Sequence, residues 1–256
     1  MSAVLTLEDS VIEALGVVLD PELDEPITDL GFVRSVAVDG SSVTVHLRLP
    51  TSFCSPNFAY LMASDAKDAL VALDWTDGVV VELDDHHDSP IINAGLAGDL
   101  GYRGTFRHEA LDSLDELRTT FRRKAHTAAM ERALTDLLRA DPSRSVESLA
   151  DVRLGELPEG EHRAALVRRR TAIGLPTGQD DYVLVDHANT RPGNVPLAVA
   201  RARSTRISID GNAHFCRGLL RTRYPGSEQD QTVRTDGLEP ADAAFISLTT
   251  LKESLS

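Results

Sequence analysis

The sequence predicts an α/β chain of the α+β kind: a small helix–strand–strand–helix–strand unit, then a mixed, helix-rich second part. Three observations carry this. Residues 43–49 alternate Val43, Val45, Leu47 and Leu49 with Thr44, His46 and Arg48, the period-two pattern of a half-buried strand. On either side the period is helical, through Val11, Ile12, Leu15, Val18 and Leu19 before it and Phe58, Leu61, Met62, Ala66 and Leu70 after it. The third is charge. Of 26 Lys+Arg and 40 Asp+Glu, residues 1–90 hold three bases (Arg34, Arg48, Lys67) and seventeen acids, a balance of −14, and the remainder balances to zero. So abrupt a shift marks a domain boundary. The expected organisation is a domain over 1–90, a Gly-rich linker over 91–106 and a second domain over 107–256.

Each element has its local reason. The first helix carries Glu8, Asp9 and Glu13 in its opening half, as the helix dipole prefers, and Asp20-Pro21 stops it. Residues 33–38 lead through Asp39-Gly40 into the alternating strand, a hairpin signal. The helix over 57–73 precedes a β-branched third strand at 78–83. Gly95, Gly98, Gly101 and Gly104 read as a flexible connection, since neither a GxGxxG nor a Walker pattern is present. A long apolar stripe predicts one or two helices over 107–140, ended by Asp141-Pro142, with a further helix within 159–173. Strand-like runs follow at 182–186, 195–200, 206–210 and 245–249. No internal repeat is visible.

Composition excludes several classes. No apolar run approaches the ~18–20 residues that span a bilayer, and residues 1–9 lack a signal-peptide pattern. Two cysteines make no disulfide framework. A pI near 4.9 argues against nucleic-acid binding, which needs a surplus of Lys and Arg. The expectation is a soluble, cytoplasmic protein with neither nucleic-acid nor membrane partners; a homo-oligomer stays open.

The most pointed local feature is Cys54, in Thr51-Ser52-Phe53-Cys54-Ser55-Pro56. It stands where the second strand meets a helix that Ser55 can cap and Pro56 can begin. Unpaired backbone N–H groups at such a junction make sulfur a better nucleophile or metal ligand; a small buried hydrophobe is the equal alternative. A second feature is the Pro-punctuated loop holding Asp20, Glu22, Asp24, Glu25 and Asp29. It is compatible with oxygen ligands near the Cys54 strand end, or with turn chemistry in which Asp29 only caps Leu30-Gly31.

Together these segments resemble a known family. The DPEL…DLGFV stretch (20–33), the hairpin, the TSFC turn (51–54) and the GVVVEL strand (78–83) follow the order of MIP18-like (DUF59) proteins. These include iron–sulfur cluster assembly factors and the PaaD protein of a ring-oxygenase operon. The resemblance covers roughly residues 8–85. It implies the small sheet already read from periodicity, a functional role for Cys54, and Glu22 and Asp29 as the acidic residues of the first motif. Two departures stand out: Asp24 where members usually have Gly, and Ser55 placed between the cysteine and Pro56.

Other clusters are more ambiguous. Residues 84–88 (Asp-Asp-His-His-Asp) offer adjacent ligands, but neighbours on extended backbone point to opposite faces, so a solvated strand end is the preferred reading. His108 and Asp112 lie four apart on the predicted long helix. His214 and Cys216 share a face if their backbone is extended, as metal ligation needs; in a helix they diverge by about 200°. Joint ligation by Cys54, His214 and Cys216 stays open. Residues 191–234 hold eight arginines against three acids, which makes Arg201, Arg203, Arg206, Arg221 and Arg223 candidates for docking on an acidic partner.

The reading these features favour is a metalloprotein maturation or assembly factor. Iron or an iron–sulfur cluster would be its transient cargo, and its partner an assembly scaffold or client metalloprotein such as an oxygenase hydroxylase. An enzyme with its active site in the second domain, near Asp186-His187 and His214–Cys216, is the competing reading, although no G-x-S-x-G or H-E-x-x-H motif supports it. A purely structural interaction module, with Cys54 inert, is the third.

Overall fold

The computed structural model describes residues 6–107 and 114–224. These cluster into two units: the first takes 6–21, 25–107 and 214–224, the second 22–24 and 114–213. The strand-like run at 245–249, Arg234, and the His108/Asp112 pair lie outside the described residues.

In the first unit the expected element order is found. Helix α1 (Leu7–Leu15) begins with a capping box, in which Thr6 Oγ1 accepts from the Asp9 N–H at 3.1 Å and Asp9 accepts from the Thr6 N–H at 3.0 Å. It ends at Gly16, earlier than its apolar stripe suggests, and Leu19 instead bridges Pro26. Strands β1 (Val33–Asp39) and β2 (Ser42–Leu47) form an antiparallel hairpin. Its two-residue loop starts at Gly40 with φ 60°, the positive value that type II′ loops place first. Helix α2 (Pro56–Val71) then crosses over to β3 (Gly78–Leu83), which pairs parallel to β2 in the order β1-β2-β3. Val36, Val43, Val45, Leu47, Val81 and Leu83 are buried, together with Val11 and Leu15 of α1 and Leu61, Ala63, Ala66 and Leu70 of α2. The alternating residues Thr44, His46, Val80 and Glu82 are half-buried or exposed. The helices therefore cover one face of the sheet.

Residues 91–106 are not a flexible connection. They fall in α3 (Ser89–Ala97) and α4 (Gly101–Phe106), which bury Ile92, Leu96 and Tyr102. Gly95 and Gly104 serve close packing: a Cβ on Gly95 would lie 2.1 Å from Thr105 Oγ1 and one on Gly104 2.9 Å from Leu100 Cβ, whereas Gly101 takes φ 65° in open space. Asn93 of α3 also completes the edge of β3, its side-chain amide accepting from the Leu83 N–H at 2.9 Å and donating to the Leu83 carbonyl at 3.2 Å.

The second unit contains α5 (Leu114–Ala140), α6 (Glu161–Ala172) and residues 195–213 of α7 (Val195–Arg223). Its core joins Ala129, Ala133 and Leu137 of α5 to Leu149, Leu154, Leu166, Val183 and Val199. Three strand expectations are corrected. The runs at 195–200 and 206–210 lie inside α7, and 182–186 contributes only a single bridge, Arg153 with Tyr182. Val183, Leu184 and Val185 are apolar because they are buried as irregular chain. Asp24 adopts φ 57°, a conformation Asp tolerates better than most residues, at the position where the resembled family usually has Gly. Arg169 Nε donates to its carboxylate at 2.8 Å.

His126 is buried and its Nε2 has no partner among the described residues. Burial, reinforced by the positive charges of Arg170 and His187 and opposed by Asp186, depresses its pKa from 6.5 to about 4. The unfolded chain thus takes up a proton that the folded chain refuses. Stability is lost as pH falls from about 6.5 to about 4, by up to ~3 kcal/mol. In urea unfolding at pH 7 and pH 4.5, His126→Leu should lose less stability on acidification than the wild type; equal losses would contradict this. Gly95→Ala should destabilise by roughly 1–3 kcal/mol in the same assay, because Thr105 must move.

Candidate functional site

Between β2 and α2 the chain leaves the sheet, so its polar groups need partners other than a ladder. Thr51 Oγ1 accepts from the Phe53 N–H at 3.2 Å and stands 3.5 Å from Cys54 Sγ. Cys54 is half-buried with a free thiol. Ser55 is the N-cap residue, but its side chain makes no cap bond; its carbonyl instead accepts from Phe58 and Ala59. Beside the cysteine, Phe53 is 82% exposed and stacks on the exposed ring of His87, the centroids 5.9 Å apart.

The loop after β3 closes on this turn. The His87 N–H donates to the Ser52 carbonyl at 2.9 Å, and His86 Nε2 to the Cys54 carbonyl at 2.8 Å. His86 Nδ1 accepts from the Asp88 N–H at 3.1 Å. A carbonyl only accepts and an N–H only donates, so His86 is the neutral Nε2–H tautomer. The 84–88 segment is thus not simply a solvated strand end: His86 is buried and braces the cysteine backbone. Asp84 accepts from Arg34 at 2.8 Å and pairs with His46 at 3.0 Å. Burial acts to raise the Asp84 pKa, but these two partners outweigh it and hold the carboxyl below its ordinary value.

A third contribution comes from the last turns of α7. Arg223 donates to the Leu49 carbonyl at 3.1 Å, to Ser52 Oγ at 2.8 Å, and to the Asp85 carbonyl. The Tyr224 hydroxyl donates to Asp85 Oδ2 at 3.1 Å; burial raises its pKa, so the phenol stays protonated. Arg48 lies over the Tyr224 ring, 5.3 Å from its centroid, and its Nε donates to the Gly31 carbonyl at 3.0 Å. Arg217 pairs with Glu25, and Leu220 packs where a Cβ on Gly31 would come within 3.2 Å of it.

The remaining candidates are placed as follows. Asp29 is exposed and accepts from the Thr28 hydroxyl, while Glu22, in the second unit, accepts from Asn212 Nδ2 at 3.1 Å. His214 and Cys216 are two positions apart on α7, so the extended H-x-C arrangement is corrected: their side chains diverge by about 200°. Among the described residues no three His, Cys, Asp or Glu side chains gather as a metal site would require. The Asp186 carboxylate is taken by the backbone N–H groups of Ala188 and Thr190. Of the arginines proposed for docking, Arg203 and Arg206 pair with the buried Glu131, and Arg223 holds the cysteine turn; Arg201 and Arg221 are exposed. Sequence reasoning missed His86 and the internal role of Arg223. Two adjacent histidines after a strand hinted that one faces inward; nothing in the sequence paired Arg223 with residue 52.

A three-stranded mixed sheet with a cysteine turn entering its crossover helix is the arrangement that the resemblance over residues 8–85 implies. Residues 8–83 match the model of the iron–sulfur cluster assembly protein family. The chain is also 34% identical over 93 residues to an uncharacterized protein of Methanocaldococcus jannaschii, an alignment spanning 36% of this chain and 96% of that protein. No solved structure matches it. Through residues 8–83 the chain belongs to this family, with a general role in iron–sulfur cluster assembly. Among the described residues no helix is long and apolar enough to cross a membrane.

The His86 brace has a measurable consequence. His86→Phe removes both ring hydrogen bonds at similar volume, at a cost of roughly 1–3 kcal/mol. Amide exchange at Asp88 should then speed by at least about tenfold in native conditions; unchanged protection would mean the ring is not what holds that N–H.

Proposed function

We propose that the N-terminal unit passes iron or an iron–sulfur cluster to a client metalloprotein through Cys54. The observation that carries this reading is the free, half-buried thiol in a turn braced by His86 and Arg223, beside the exposed Phe53 and His87 rings. One thiolate supplies a single ligand where a cluster takes about four. Cargo held here is therefore shared with ligands from a scaffold or acceptor, which suits transfer rather than storage. A thiol in this role needs a reducing compartment, consistent with a cytoplasmic setting. The exposed Phe53–His87 pair offers an apolar contact for the receiving protein. The client named by this reading is the hydroxylase of a multicomponent di-iron oxygenase, by analogy with the PaaD branch of the family. Residues beyond the matched region would select that client.

The test uses protein loaded anaerobically with iron and sulfide, and apo-ferredoxin as acceptor. Cys54→Ser is nearly isosteric, so its urea midpoint should stay close to wild type while cluster transfer is abolished. Cys216→Ser should have the smaller effect. In cells, the iron content of the oxygenase hydroxylase should fall with Cys54→Ser. Transfer and client iron at wild-type levels would reduce Cys54 to a packing residue.

A further inference from the structure

Loops 48–55 and 84–88 carry irregular backbone, and the oxygens they leave open converge on one side chain. Leu49 O ends the exit from β2, Ser52 Oγ lies two residues before the cysteine, and Asp85 O belongs to the facing loop. A guanidinium offers five N–H donors in one rigid plane and so bonds all three at once. A lysine ammonium, a compact point donor on a flexible stem, does not reproduce that fork. From these contacts we infer that Arg223 is a positioning residue for Cys54: the end of α7, about 140 residues beyond the family-matched segment, fixes the conformation in which the thiol is presented. This rests on the reading of Cys54 as the transferring group.

The contacts separate two jobs within α7. Its end is anchored by Tyr224, which is buried and bonded to Asp85, by Leu220 against Gly31, and by Arg217 with Glu25. The polar contacts of Tyr224 and Arg217 thus go to Asp85 and Glu25, outside residues 49–54. Arg223, on the same helix turn, binds Leu49 and Ser52. The opposite side of the cysteine turn is held separately, by His86 on the Cys54 carbonyl and the His87 N–H on the Ser52 carbonyl. Removing the guanidinium therefore leaves α7 docked and the turn tethered on one side only. The thiol should then sample conformations more open than the native one, gaining access to small reagents and losing the geometry needed for transfer.

The experiment uses the full chain with Arg223→Ala, Arg223→Lys and Tyr224→Phe. The native rate of Cys54 alkylation by iodoacetamide is read by mass spectrometry of the Cys54 peptide, alongside transfer to apo-ferredoxin and urea unfolding. Arg223→Ala should speed Cys54 alkylation at least fivefold and slow transfer at least tenfold, with Cys216 alkylation unchanged. Arg223→Lys should behave like Arg223→Ala, because it keeps the charge and loses the fork, whereas Tyr224→Phe should alkylate within twofold of wild type. An alkylation rate within twofold of wild type in both Arg223 variants overturns the inference. If Arg223→Ala does not fold, Arg223→Gln, which retains an amide donor and similar length, carries the same comparison. Should Cys54→Ser itself transfer normally, the transfer reading falls, while the alkylation rates still decide whether Arg223 holds the turn.

Discussion

The constraint on which the site depends is the hydrogen bonding of irregular backbone. A strand or helix satisfies its own amides; the segments after β2 and β3 do not, and an unpaired buried carbonyl costs about as much as a lost hydrogen bond. Side chains from elsewhere finish the work. His86 reaches the Cys54 carbonyl, and Arg223 closes Leu49, Ser52 and Asp85. Each lies far from the cysteine in sequence. The sheet supplies the platform on which these loops are brought together, since the parallel pairing of β2 with β3 places their C-terminal ends side by side. The cysteine turn and the His86 loop leave from those two ends.

The same logic explains what was legible in the sequence. Period-two and period-3.6 patterns are local, so α1, the β1–β2 hairpin, α2 and β3 could be read directly, and the TSFC turn located Cys54. The α7 helix was legible in principle: Val195, Val199, Ala202, Arg206, Ile209, Ala213, Arg217 and Leu220 fall at helical three- and four-residue steps, five of them buried. Its β-branched clusters, taken in short windows, imitated strands. The glycines at 95–104 misled for a related reason, because the sequence does not distinguish glycine chosen for flexibility from glycine chosen for close approach. Contacts such as Arg223 with Ser52 leave no periodic trace at all.

Charge shows a parallel division between count and placement. The arginine surplus over 191–234 suggested a surface reserved for an acidic partner, yet much of it is consumed within the fold. Glu131, almost wholly buried, accepts from Arg203, Arg206 and Thr135. Burial would raise the pKa of that carboxyl, and its three donors more than reverse the effect. Guanidiniums here serve as multidentate connectors for carboxylates and stray carbonyls, as Arg170 also does in donating to the carbonyls of Pro176 and Tyr182.

The 174 residues that separate Arg223 from Leu49 also have a meaning in time. Every strand of the sheet has been synthesised by residue 83, and the helices that cover it can begin to pack while the chain is still growing. The guanidinium that finishes the cysteine turn is made later, by roughly 7–28 s at ordinary rates of translation. For that interval a nascent chain carries the thiol on a loop tethered from one side only. Order of synthesis thus becomes order of assembly: the first of the two cysteines is made early, and its turn is closed only when the end of α7 arrives.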